Sequence, residues 1–117
     1  MPVWGIESIV ERPEVVLKDW CVYEVQQASR TERTRHFAGS VGRDYDGQSS
    51  SAIVQFDPDT RCGLSERGRI YKLEGRGSGL GTSADFVWRT WKRKAGAQDV
   101  VDVTPEVEQL LSKTEQK

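Results

Sequence analysis

The sequence predicts a small α+β domain. It reads as a strongly bent antiparallel sheet of about five strands, open or closed into an SH3-like barrel, with one helix packed on it and a short second helix near the C-terminal end. Three observations carry this. Short β-branched and aromatic runs are separated by turn-forming clusters rather than by helix-length segments, which describes hairpins and not βαβ units. One stretch, 83–95, repeats apolar residues at helical spacing. Finally, Thr104-Pro105-Glu106 is a helix start, with Thr as N-cap and Pro at the first helical position.

The first clear strand is WCVYEVQ (20–26), with Trp20 and Val22 on one face and Cys21, Tyr23 and Val25 on the other. Both faces are apolar, so it should be central in the sheet. TRHFAGSV (34–41) alternates imperfectly, setting Phe37 and Val41 against Arg35 and His36, with His36 expected to be partly exposed. SSAIVQF (50–56) places Ala52, Val54 and Phe56 together, RIYKLEG (69–75) places Tyr71 and Leu73 together, and QDVVDV (98–103) supplies a short last strand. VWGIESIV (3–10) fits an edge strand or a short helix equally well. Asp46-Gly47 marks a hairpin, because Gly tolerates positive φ and Asp bonds its own backbone in turns. DPDTRCG (57–63) and SERG (65–68) read as further turns. An open sheet of this kind leaves an edge strand that a partner chain can pair.

In 83–95, Ala84, Val87, Trp88, Trp91 and Ala95 form one apolar stripe, so both tryptophans are expected in the core. Thr82 and Asp85 make an imperfect capping box. Lys92, Arg93 and Lys94 fall in the last turn, where cations complement the helix dipole, and Gly96 follows. The second helix is expected over about 105–113, burying Val107, Leu110 and Leu111. Residues 1–113 then form one domain and 114–117 a frayed tail.

The chain has 117 residues, 36% of them apolar and 30% charged, enough for a single core without cross-links. No apolar run approaches the ~20 residues that span a bilayer. The N-terminus lacks a basic region followed by an apolar one, so neither membrane insertion nor export is expected. Cys21 and Cys62 make no disulfide framework and read as reduced thiols of a cytoplasmic protein, Cys21 as core and Cys62 in a turn.

Motifs with chemistry are sparse. GRGSGLGTS (75–83) feeds a helix N-terminus, yet it has neither the lysine of a P-loop nor a glycine at the sixth position of a dinucleotide fingerprint. It reads as a flexible connector, with Gly75, Gly77, Gly79 and Gly81 able to order on an anion. Asp44, Asp46, Asp57 and Asp59 lack the Gly and Glu that a calcium loop needs at its sixth and twelfth positions, so they read as turn residues. One histidine, His36, without a CxxC offers no zinc ligand set, and no metal or cofactor is expected. The serines at 49–51 lack a nucleophile elbow.

Charge is the better lead. Residues 60–95 carry nine basic and three acidic side chains, against eight and fifteen in the rest of the chain. Within this segment Arg67, Arg69, Lys72, Arg76, Arg89, Lys92, Arg93 and Lys94 are candidate contacts for an anionic ligand or nucleic acid, interleaved with tryptophan as in single-strand binding sites. The leading expectation is a non-enzymatic binding or regulatory module acting through a protein partner or a homodimer. The alternative is a nucleic-acid-binding domain using 60–95. A third reading, a small enzyme, needs a Cys or Ser nucleophile near His36.

Overall fold

A computed structural model describes residues 4–42, 46–77 and 82–115. Its strands are β1 (Gly5–Ile6), β2 (Val15–Gln26), β3 (Thr34–Val41), β4 (Asp46–Ser49), β5 (Ile53–Asp57), β6 (Cys62–Ser65), β7 (Ile70–Leu73) and β8 (Gln98–Asp102). Two helices, α1 (Thr82–Ala95) and α2 (Thr104–Glu115), flank β8 in sequence. The described strands run in the order β1-β5-β6-β7-β2-β3-β4, with β8 also paired to β2. The α+β class stands. The sheet, however, has eight described strands rather than five, and it is mixed rather than antiparallel, because β1 pairs β5 and β2 pairs β7 in parallel. Its path has two ends, β1 and β4, so it does not close into an SH3-like barrel.

The long strand β2 joins the two halves. Residues 15–17 pair with β7, and residues 23–26 pair with β8. Between them the register against β3 shifts from Lys18 to Cys21, and Asp19 sits at φ 47°. This is a β-bulge, which adds a residue and bends the strand. It explains how Leu17 and Trp20, three apart, are both fully buried. It also explains why 15–19 did not read as strand: the charged pair Lys18-Asp19 breaks the alternation where the bulge breaks the pleat.

Past the bulge β2 is central, as its two apolar faces predict. Trp20 and Val22 join Phe37, Phe56, Tyr71 and Leu73 in the main core, closed by Val107 and Leu111 of α2. Val25 joins Ala38 and Trp88 of α1 in a second cluster, with Tyr23 and Trp91 packed beside it. Phe37 bridges the halves, edge-on to Phe56 at 6.1 Å and to Tyr71 at 6.3 Å. Gly63 makes this approach possible, since a Cβ there would lie 2.6 Å from the Phe37 ring.

Four local expectations change. Val54 is 46% exposed while Ile53 is buried, because a register irregularity between Ile53 and Gln55 shifts which residues face inward. His36 is 1% exposed rather than partly exposed, since α1 covers that face of β3. Cys62 lies in β6, not in a turn; the turn tightens at Arg61, φ 63°. Helix α2 runs to Glu115, two residues beyond the end expected near 113.

Helix α2 also starts in an unexpected way. Thr104 Oγ1 accepts from the Val22 backbone N–H at 2.9 Å, so this hydroxyl ties the helix to β2. Asp102 Oδ1 instead accepts from the Thr104 N–H at 2.9 Å and does the capping.

Candidate anion-binding cleft

The 65–68 turn is a tight hairpin. Gly68 N–H donates to Ser65 O at 2.9 Å, and Gly68 takes φ 89°, a conformation that favours glycine. The Arg69 N–H donates to Ser65 Oγ at 3.1 Å, fixing the hydroxyl against the hairpin. The turn therefore carries Arg67 and Arg69 two residues apart, on either side of the glycine.

Opposite it lie the end of β4 and the link to β5. Ser49 at the end of β4, Ser50 and Ser51 from the link and Ser65 from the hairpin line an open cleft of about 380 Å³. Arg67, Arg69, Tyr71 and Trp91 complete its wall, and among the described residues no carboxylate lines it. Its volume is in the range of small-molecule sites.

The floor is rigid. Ser50 is buried; its backbone N–H donates to Phe37 O at 2.8 Å and its Oγ accepts from the Phe37 N–H at 2.9 Å. His36 Nδ1 lies 3.0 Å from Ser50 O, which requires the proton on Nδ1, so Nε2 accepts from Thr34 Oγ1 at 2.7 Å. Gln27 Nε2 donates in turn to Thr34 Oγ1 at 3.0 Å. Burial drives the His36 pKa down to about 4, against the opposing bond to Ser50, so the ring is neutral at pH 7. Above it, Tyr23 stacks on Trp88 at 4.5 Å, Trp88 on Trp91 at 5.1 Å, and Trp91 meets the His36 ring at 4.2 Å. Trp88 is core as expected. Trp91 is half-buried and walls the cleft.

The donors are the distinctive feature. Neither Arg67 nor Arg69 has a side-chain hydrogen bond or ion pair among the described residues, whereas Arg30, Arg33, Arg35 and Arg89 each hold a carboxylate. Ser49 Oγ is buried without a hydrogen-bond partner among the described residues. Such orphaned groups are uncommon in native proteins because each costs desolvation free energy. The hydroxyls of Ser50 and Ser65 already accept from backbone N–H groups, which leaves their own hydrogens to donate.

The eight candidate cations do not all gather here. Arg89 is bound to Asp85 one turn earlier on α1, and with Arg93 and the exposed Phe86 it lines a different opening. Lys92 Nζ lies 6.0 Å from the Trp88 ring centroid. Lys94 is exposed at the end of α1. Lys72 lies opposite Cys62 in the β6–β7 ladder. Arg76 lines a third opening beside α2 with Arg61 and Glu108.

The glycine segment is tied down where it is described. Gly75 O accepts from Trp20 Nε1 at 3.3 Å and from Arg61, and the Gly77 N–H donates to the Glu108 carboxylate. That amide is already held by the protein's own anion. Gly79 and Gly81 lie outside the described residues. Sequence reasoning passed over Ser49–Ser51 because it sought a nucleophile elbow; nothing local reveals that three serines face two arginines and a tryptophan.

Both ring nitrogens of His36 are engaged, by Thr34 Oγ1 and Ser50 O. Burial pushes the Cys62 thiol up, and Cys62 Sγ lies 3.5 Å from Thr60 O. Among the described residues there is no group of three or more His, Cys, Asp or Glu able to hold a metal, and no helix is long and apolar enough to cross a membrane. No family model, no curated protein and no solved structure matches the chain.

Proposed function

We propose that the chain is a small non-enzymatic binding module, and that the serine–arginine cleft is where it holds an anionic ligand. One observation carries this reading: Arg67 and Arg69, unpaired among the described residues, line one cleft with four serines and, among the described residues, no carboxylate. A site made of donors attracts an acceptor-rich anion. The engaged nitrogens of His36 and the raised pKa of Cys62 favour binding over nucleophilic catalysis.

Calorimetric titration with pyrophosphate, for wild type and an Arg67→Ala/Arg69→Ala variant, tests the reading. Saturable binding at low salt that weakens as salt rises and disappears in the variant supports it. No uptake of pyrophosphate by the wild type overturns it.

A partner protein is favoured by a separate observation. All five residues of β8 are exposed, Val100 and Val101 among them, and β2 is its one pairing partner among the described strands. Homodimerisation by antiparallel pairing of β8 about Val100 and Val101 would set Asp99 against Asp102 of the second copy, and like charges directly opposite are destabilising. The edge therefore suits a strand from a basic partner better than a second copy of itself. A monomeric mass in solution at all concentrations fits this; a dimer lost on Val101→Lys contradicts it.

A further inference from the structure

Resting on the anion-binding reading of the cleft, we infer that its ligand is a small-molecule phosphate monoester, whose terminal phosphoryl group sits on the arginines and serines and whose organic part lies against Trp91. Donor count and placement argue for this. A phosphodiester offers two non-bridging oxygens and runs on at both ends, so a strand is best held by cations spaced along a track. Here the cations are dispersed: Arg89 is held by Asp85, and Arg76 lines an opening beside α2. Only Arg67 and Arg69 of the eight candidates line the cleft.

What the cleft concentrates instead is many donors around a small volume. Arg67 and Arg69 border one opening with Ser49, Ser50 and Ser65; the Ser50 and Ser65 hydroxyls accept from backbone N–H groups and keep their hydrogens to donate, and the Ser49 hydroxyl has no partner among the described residues. A terminal phosphoryl group has three acceptor oxygens and close to two negative charges, which matches such a set. Ser50 and Ser65 are buried and held by backbone N–H groups, so their oxygens are positioned before any ligand arrives. The Ser49 hydroxyl is the most telling part. Buried without a partner among the described residues, it costs stability in the unliganded protein, and rotation about χ1 toward the cleft that Ser49 lines would let a ligand oxygen supply the missing bond.

The test uses the full chain and four probes: adenosine 5′-monophosphate, cyclic 3′,5′-adenosine monophosphate, glycerol 3-phosphate, and a single-stranded 20-nucleotide DNA lacking a terminal phosphate. Tryptophan fluorescence and calorimetry read binding. The monoesters are expected to bind about tenfold or more tightly than the cyclic diester, the size of one charge-assisted hydrogen bond. The adenosine monoester should exceed glycerol phosphate because its ring meets Trp91. Ser49→Ala should weaken the monoesters about tenfold while its melting temperature equals or exceeds that of wild type, since the removed hydroxyl has no partner among the described residues. Equal affinity for monoester and diester, or tighter binding of the DNA, overturns this inference and leaves the anionic cleft standing. An unchanged affinity in Ser49→Ala also overturns it. If pyrophosphate binds to none of the proteins either, the anion-binding reading itself falls.

Discussion

Two pairs of arginines, each two residues apart on a β-hairpin, meet opposite fates. Arg33 and Arg35 are absorbed. Both bond the Glu24 carboxylate, at 2.7 and 3.0 Å, and Arg35 also reaches Glu106 of α2 at 2.5 Å and lies over the Trp4 ring at 4.7 Å. Burial pushes the Glu24 carboxyl up, but the two guanidinium groups outweigh it and hold the group below its usual range. Arg67 and Arg69 are exposed, face serines and a tryptophan, and have no carboxylate partner among the described residues. The first pair fastens α2 and the N-terminal segment to the sheet. The second fastens nothing among the described residues. Chemically identical side chains thus divide into those held by a carboxylate and those without one among the described residues, and the neighbouring acids separate them.

The largest effect expected from breaking this contrast lies on the structural side. Arg35→Ala leaves Glu24 with one partner and removes the tie to Glu106, and should cost about 2–3 kcal/mol in urea unfolding, below the full value of a fully buried pair because Glu106 is half exposed. Its pyrophosphate binding should be unchanged; a variant of full stability that cannot bind would reverse the two assignments.

Acid sharpens the comparison. His36 beneath the cleft has its folded pKa lowered from 6.5 to about 4, so the unfolded chain takes up a proton before the native one does. Its contribution is complete above about pH 6.5 and declines as pH falls towards 4, an effect on the order of 3 kcal/mol by linkage. Glu24, with its depressed carboxyl, contributes above its unfolded value and loses that contribution only as pH falls through the lower folded value. Unfolding measured across pH 7 to 4 should show the histidine phase, and His36→Gln should flatten the slope in that window. A slope that persists in the variant would assign it to another group.

The smallest stability effect belongs to the cleft. Arg67→Ala/Arg69→Ala should change unfolding free energy by no more than about 0.5 kcal/mol, as for exposed residues without partners. A loss of several times that would mean the two arginines are structural after all.

Much of the fold is legible in the sequence because its signals act over a few residues. The stripe Ala84-Val87-Trp88-Trp91 and the basic last turn place α1, Thr104-Pro105 places the start of α2, the two apolar faces of 20–26 mark a central strand, and Ser65–Gly68 marks the turn that carries Arg67 and Arg69. Each depends on helical or strand periodicity, or on glycine at positive φ, and these are properties of neighbouring residues. What only the tertiary structure decided is longer in range. The bulge at Asp19 reset which residues of β2 point inward, and Val22 claimed a Thr104 hydroxyl 82 positions away that local reasoning assigned to its own helix. Glu24 and Glu106 claimed Arg35, while no acid among the described residues reached Arg67 or Arg69. Coulomb and hydrogen-bond energies depend on distances through space, and the chain's order does not contain those distances until the two halves of the sheet have packed across Phe37.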